Sequence, residues 1–592
     1  MWPKMLKLLY TKIYLVKEKS PMNRQQIIDK FKADPSVAVL IIGAGINGIG
    51  TYRDLAAQGV DVLMVERGDF GSGTSAASSH MLHGGIRYLE NGEFRLVREA
   101  LTERNLMLRN APHYAKPLPT TVPIFRWFSG LFNAPLKFVR LRDKPAERGA
   151  LVIKIGMIVY DIFARNYRVM PTHKFRLKRA ALAQYPQLNP EIICAGTYYD
   201  SWMPSPERIC MDLLRDTVTL SDTAHAVNYV SAVDGGRDTV TLRDEITGET
   251  FDVQPQVVVN AGGPWIDFIN RAIGKETEFI GGTKGSHLIL DNPLLHDACN
   301  GSEIFFENDD GRIVLILPYL GKVMVGTTDI RIEDPDEAHV TDDEIEYILG
   351  MVNKVFPNIA VDHSQIVFQF TGVRPLANSG ASFTGNVTRD HTIAAIKPAE
   401  SGFAYPIYSL VGGKWTTFRA FAEQTADQVL EALGKKRHVS TELMFIGGGR
   451  DYPTDKGAEA VWINRVSAGT NTPEARIAAL FERYGTHAET IAAFCAEADD
   501  APLTNLPDFT RREIRYLIDS EAVTRLDDIL IRRSLIAWLG RVNQGLVLEM
   551  AEICAEALGW TPERRDDEIE RTINILNDKH GMGIDPVGLQ TS

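Results

Sequence analysis

An α/β fold built around a nucleotide-binding unit is predicted by three features of the sequence. The run "VAVLIIG" leads into glycines at 43, 45 and 48, and a second run, "VDVLMVE", ends at Glu66. Far downstream, "VVVNAGGPW" is again an apolar stretch that opens into small residues. Such β-branched runs without alternation mark strands covered on both faces of a parallel sheet. Residues 471–500, 510–540 and 541–577 instead carry long helix-period patterns with few strand signals, so a helical domain is expected to close the chain.

With 592 residues, 44% hydrophobic and 24% charged, the chain is long enough for two or three domains of ordinary globular composition. The first segment, 1–36, reads as a basic N-terminal extension. It lacks the uncharged core and small-residue cleavage site of a signal peptide, so it is either a surface-lying helix or, if Met22 is the true start, partly excess.

In the glycine stretch each position has a separate task. Gly43 permits a tight turn, Gly45 admits a pyrophosphate close to the backbone, and Gly48 lets the following helix pack on the strand with its N-terminus toward the anion. Asn47 belongs to the same turn. Glu66 stands eighteen residues after Gly48, where a carboxylate accepts hydrogen bonds from a ribose and disfavours a 2′-phosphate. NADP is thereby set aside, leaving NAD or FAD. The stretch "GDFGSGTSAASSHMLHGGIRYLE" favours FAD: its small residues let backbone pass beside a bulky cofactor before His, Arg and Tyr return.

Charge and cysteine content narrow the partners. A net charge of -12 argues against a general nucleic-acid binder. Five scattered cysteines with no CxxC pair suggest neither a disulfide framework nor a metal site, and fit a reducing compartment. No apolar run is long enough to span a bilayer, because Lys154 and Asp161 interrupt "ALVIKIGMIVYDIF".

The motifs "GAGINGIG", "GTSAASS", "LHGGIRYLENGEFRLVREAL", "VVVNAGGPW", "KGSHLIL", "PYLGKVMVGTTD", "TGVRPL", "VTRDH" and "GGKWTTFR" occur in this order across roughly residues 37 to 420. The chain therefore resembles the FAD-dependent glycerol-3-phosphate dehydrogenases of the aerobic bacterial and mitochondrial type. The resemblance implies a Rossmann-type FAD-binding domain assembled from separated segments, with a glycine-oxidase-like antiparallel-sheet substrate domain, both within 37–440. A C-terminal helical domain, 441–592, would follow as scaffold.

The same resemblance distributes roles. FAD would be held by Gly43, Gly45, Asn47, Gly48, Glu66, Thr74, Ser75, Ser78, Ser79, Ala261, Gly262, Gly413, Lys414 and Thr416. Arg374 and Arg389 look like the pair that binds a substrate phosphate, for which planar guanidinium groups suit better than a lysine point charge. Arg87 would hold the substrate or orient its hydroxyl, with Tyr88 beside it. His83 or His287 would accept the C2 hydroxyl proton, imidazole being matched to neutral-pH proton transfer; His83 is the slightly preferred of the two. Lys414, after two glycines, would stabilise negative charge on the flavin ring.

The implied reaction oxidises sn-glycerol 3-phosphate at C2 to dihydroxyacetone phosphate, with hydride passing to FAD and electrons onward to membrane quinone. Residues 121–180 suit the contact this requires, holding 13 Lys or Arg against 3 Asp or Glu, interleaved with apolar side chains as in "FRWFSGLF". Such a segment fits an anionic lipid surface, and the enzyme is expected in the cytoplasm, attached peripherally to the inner face of the membrane. Oxygen as acceptor and a homodimer both stay open.

Two departures leave the substrate open as well. His80 stands where many members have lysine, and Met203, Pro204, Ser205 and Pro206 replace an acidic pair after "YYDSW". Another polyol phosphate, such as a tetritol phosphate, is thus an alternative. More remote readings are an amine or amino-acid oxidase, whose carboxylate substrates need only one arginine, and a silent flavin-binding regulator, which would have shed these polar residues.

Overall fold

The computed structural model describes residues 23–86, 93–128, 149–165, 169–308, 312–378 and 390–586. Arg87, Tyr88 and Arg389 lie outside these residues, as do 129–148 and 166–168 of the basic stretch.

The apolar runs form one sheet, as their unbroken hydrophobicity demands. Its central order is Thr392–Ile396, Ile407–Val411, Thr250–Asn260, Ser36–Ile42, Val62–Glu66, Ala224–Asn228, parallel except for the edge pair Thr392–Ile396 and Ile407–Val411. An antiparallel hairpin of Val230–Gly235 and Val240–Asp244 extends the start of Thr250–Asn260. Ile41 faces Met64 on one side and Val259 on the other, and all three are buried. The segments come from three distant parts of the chain, the discontinuous Rossmann-type arrangement expected. Helix Arg24–Ala33, opened by an Asn23/Gln26 capping box, buries Ile27, Ile28 and Phe31 against this unit. Helices Ile46–Ala57 and Phe418–Ala432 pack together beside it, so closely that a Cβ on Gly50 would stand 3.0 Å from the Phe418 ring.

The second sheet is larger and almost wholly antiparallel. Its path runs Ile330–Arg331, Thr283–Leu290, Lys322–Gly326, Ile313–Tyr319, Glu303–Glu307, Lys116–Ile124, Cys194–Trp202, Met81–Leu82, and Ile366–Arg374 pairs with Thr283–Leu290 from the other side. Every residue of Thr283–Leu290 is buried, because strands cover both its edges and packing covers both its faces.

The C-terminal part is helical, with Glu474–Tyr484, Ala488–Ala496, Arg511–Ser520, Gln544–Leu558 and Pro562–Asp578 around a shared apolar core. The helix pattern read over 510–540 breaks after Ser520. Residues Asp528–Arg533 form a short π-helical turn in which every side chain is buried, including both arginines. Among the described residues no helix is long and apolar enough to cross a membrane.

Candidate active site

The glycine turn and the segment after the third strand meet. The Gly43 amide donates to Val65 and the Ala261 amide to Ile42, each at 2.8 Å. A Cβ on Gly43, whose φ is +104°, would lie 2.7 Å from the Ala261 carbonyl oxygen, and one on Gly48 only 2.0 Å from that of Gly43. Gly45 is different, since its nearest neighbour would be Ser75 Oγ at 3.2 Å. Glu66 accepts the amides of Ala44 (2.7 Å) and Gly68 (2.9 Å), which fixes its carboxylate under the turn. Burial raises its pKa.

The small-residue loop 67–79 joins this turn to the second sheet. Ser75 Oγ accepts the amide of Ile46, first residue of the helix, at 2.8 Å, and Thr74 Oγ1 donates to Val373 at 2.6 Å. Ser78 Oγ accepts the His80 amide, and Ser79 Oγ lies 2.9 Å from His287 Nε2. Gly372 lets the loop approach, for a Cβ there would be 2.3 Å from the Ala77 oxygen. From the far side, Trp415 Nε1 donates to the Ser75 carbonyl at 2.8 Å. Gly413, at φ +100°, turns the chain so closely that a Cβ would reach within 2.7 Å of Asn47 Nδ2. Gly262, next to Ala261, donates its amide to Asn260 Oδ1 at 3.1 Å.

These residues fit a dinucleotide cofactor. The helix N-terminus at Gly45, which has no side chain of its own to cap it, stands at the turn; Ser75 takes the first amide, and the helix dipole favours a pyrophosphate there. Asn47 Oδ1, Thr416 Oγ1 and Thr417 Oγ1 are buried without a hydrogen-bond partner among the described residues, a costly state unless another polar group meets them. Lys414 precedes the turn Trp415–Thr417, near enough to Glu99 and His391 for its charge to act on both.

His287 and Arg374 form a wall on the second sheet. His287 is buried and stacks on Phe370, ring centroids 4.8 Å apart. Burial, then the nearby Arg374 charge, then His80, hold its pKa well below the usual histidine value. The Arg374 guanidinium donates to Asp329 Oδ1 and Thr327 Oγ1, each at 3.0 Å, and to the Thr328 carbonyl at 3.2 Å. Two glycines make room, since a Cβ on Gly285 would lie 2.2 Å from Arg374 Nη2 and one on Gly326 2.3 Å from His287 Cδ2. These glycines and Asp329 sit in "KGSH" and "VGTTD", motifs visible in the sequence, but only the fold gives them a task.

His83 is half-buried and follows the strand Met81–Leu82. The next amide, of Gly84, donates to Asp200 Oδ1 at 2.8 Å, and Arg104 Nη1 reaches the same oxygen at 3.0 Å and Tyr160 OH at 2.8 Å. Asp200 is the acid of "YYDSW", so this buried cluster fixes the backbone that carries His83. The two departures also meet: the Met203 amide donates to the His80 carbonyl at 2.8 Å, and Tyr319 OH donates to Pro204 at 2.7 Å. His80 is fully buried at φ +55°, against Tyr319, Phe370 and Trp538, and burial pushes its pKa down to about 4. The departures thus act on packing beneath the wall.

Comparison with known proteins agrees with this fold. The family profile described as FAD dependent oxidoreductase matches residues 38–418, and that of the C-terminal domain of alpha-glycerophosphate oxidase matches 439–565. A glycerol-3-phosphate dehydrogenase of Synechocystis is 32% identical, with 90% of this chain and 95% of that protein covered. The D-erythritol 1-phosphate dehydrogenase of Brucella abortus is 30% identical, with 85% and 95% covered. The solved glycerol-3-phosphate dehydrogenase from Bacillus halodurans, complexed with FAD, superposes with a TM-score of 0.70 at 21% identity, covering 94% of this chain and 97% of that one.

Proposed function

The chain belongs to the FAD-dependent oxidoreductase family, and from that premise we propose that it oxidises sn-glycerol 3-phosphate at C2 to dihydroxyacetone phosphate. The observation that carries the reading is the joining of the dinucleotide cradle to the His287–Arg374 wall through the single loop 67–79. Bound FAD supplies the hydride acceptor. Arg374, with Arg389, holds the phosphate, and Arg87 holds the glycerol portion beside Tyr88. Asp329 orients the Arg374 guanidinium, but its own charge opposes a phosphate, which is why a second arginine is needed. His287 is a poor base at neutral pH, being buried, neutral and engaged with Ser79. The proton of the C2 hydroxyl therefore goes to His83, and His287 shapes the wall.

Anaerobic addition of glycerol 3-phosphate to the purified, yellow protein tests this directly. Rapid bleaching of the flavin is expected. Bleaching by D-erythritol 1-phosphate alone would transfer the assignment to that substrate, the alternative raised by the Brucella relative. A colourless protein that cannot be reconstituted with FAD would remove the reading altogether.

Membrane quinone is the proposed acceptor, reached by peripheral attachment to an anionic bilayer. Helix Ala150–Ala164 supports this, for Leu151, Ile155, Ile158 and Ile162 stand exposed at helical spacing beside exposed Trp127 and Phe128. Apolar stripes of this kind lie in the lipid interface when basic residues flank them. Ile155→Glu/Ile162→Glu should weaken flotation on phosphatidylglycerol vesicles by about tenfold or more, since each side chain is worth roughly 1.5–3 kcal/mol when fully buried. Turnover with a soluble dye should stay at the wild-type rate. Unchanged flotation would exclude this face, and reoxidation faster with oxygen than with a quinone analogue would make the enzyme an oxidase.

A further inference from the structure

One short segment of the C-terminal domain touches both ends of the site. At the cofactor end, Asp69 lies three residues past Glu66 in the loop whose Gly71 amide donates to Ala44, inside the glycine turn, at 2.9 Å. Asp69 is buried and accepts a paired fork from Arg533, at 2.6 and 2.8 Å, with Arg532 Nε on the same carboxylate. Asn228 Nδ2 adds a bond to Asp69 and another to the Ala522 carbonyl, each at 3.0 Å. At the substrate end, Trp538 packs on Phe370 with centroids 4.7 Å apart and on His80 at 5.0 Å, and Phe370 is the ring stacked on His287.

Resting on the flavin reading above, we propose that Arg532–Trp538 is a positioning element of the active site. It grips the loop 67–80 at both ends, so that the glycine turn and the His287 wall keep a fixed spacing around the cofactor. Docking alone would not call for this arrangement. The domain already buries a large apolar core, and burying arginines with carboxylates gains little net stability over apolar contacts. What a two-bond Arg–carboxylate fork adds is orientation. Burial opposes ionisation of Asp69, yet Arg533 and Arg532 outweigh it and hold the carboxyl well below its ordinary range, so the fork stays charged. The π-helical turn Asp528–Arg533 is the local distortion that directs both arginines inward.

The test uses full-length Asp69→Asn, stripped of flavin and titrated with FAD by fluorescence quenching, together with visible circular dichroism of the rebound flavin. The dissociation constant for FAD is expected to rise about tenfold or more, with an altered flavin dichroism and a raised KM for glycerol 3-phosphate. A folded variant that binds within about twofold of wild type, with a superimposable spectrum, overturns the proposal, because a merely structural role lowers the melting temperature without moving either readout. Asn228→Ala removes the bond to Asp69, with those to Ala522 and Thr524, and leaves no arginine unpaired, so it decides the matter if Asp69→Asn does not fold. Its expected rise is roughly twofold to fivefold, and an unchanged constant overturns the proposal equally. Wild-type protein that fails to bind FAD would instead overturn the flavin reading.

Discussion

Gly48→Ala should yield a folded protein that is colourless and inactive. The added Cβ would sit 2.0 Å from the Gly43 carbonyl oxygen, 3.1 Å from its carbon and 3.2 Å from Ala261 Cβ. Backbone on one side and a strand end on the other leave no rotamer to relieve the clash. The helix Ile46–Ala57 must therefore back away from the turn, and its N-terminal amides leave the place where a pyrophosphate would lie. Losing several charge-assisted contacts of roughly 1.5–3 kcal/mol each raises the FAD dissociation constant by two orders of magnitude or more, at about 1.4 kcal/mol per factor of ten. Gly50→Ala, two residues along the same helix, is the control. Its Cβ would meet only the Phe418 ring at 3.0 Å and Ala422 Cβ at 3.1 Å. Overpacking of that kind costs about 1–3 kcal/mol of stability, so the control should melt earlier but stay yellow. A yellow, active Gly48→Ala would show that the turn is not the cofactor's seat.

The contrast between these glycines marks what was legible in the sequence. The cofactor turn is local: its spacing, the strand before it and Glu66 after it all lie within thirty residues. The wall is not. Ser79 and His287 are 208 positions apart, and no periodicity joins them. The strand Thr283–Leu290 gives no alternation to read, since it is buried along its whole length. Its place in an antiparallel sheet came from the resemblance alone. The helix pattern over 510–540 misled for a related reason. Nothing local marks Arg532 and Arg533 as buried, because their acceptor, Asp69, lies at the other end of the chain. Charged residues paired across such a distance are indistinguishable in sequence from exposed ones.

The last expectation concerns Arg374 and follows from differential binding. A phosphate remote from the reacting C2 supplies binding energy that positions the C2 hydrogen, so losing one of its ligands impairs turnover as well as affinity. Arg374→Ala should lower kcat/KM for glycerol 3-phosphate by about tenfold to a few hundredfold, the loss of one or two charge-assisted bonds at roughly 1.5–3 kcal/mol each. The substitution also removes the guanidinium that lies 3.0 Å from the Asp329 carboxylate, whose negative charge is then less compensated and repels the phosphate further. Arg374→Ala/Asp329→Ala should accordingly recover part of the loss, a result that removal of a simple steric contact would not produce. Unphosphorylated glycerol uses none of this, so its slow oxidation should be nearly unchanged in the single mutant, with flavin content and Tm near wild type. Equal losses with glycerol and glycerol 3-phosphate, in a variant that keeps its flavin, would show that Arg374 serves the chemistry or the fold and not the phosphate.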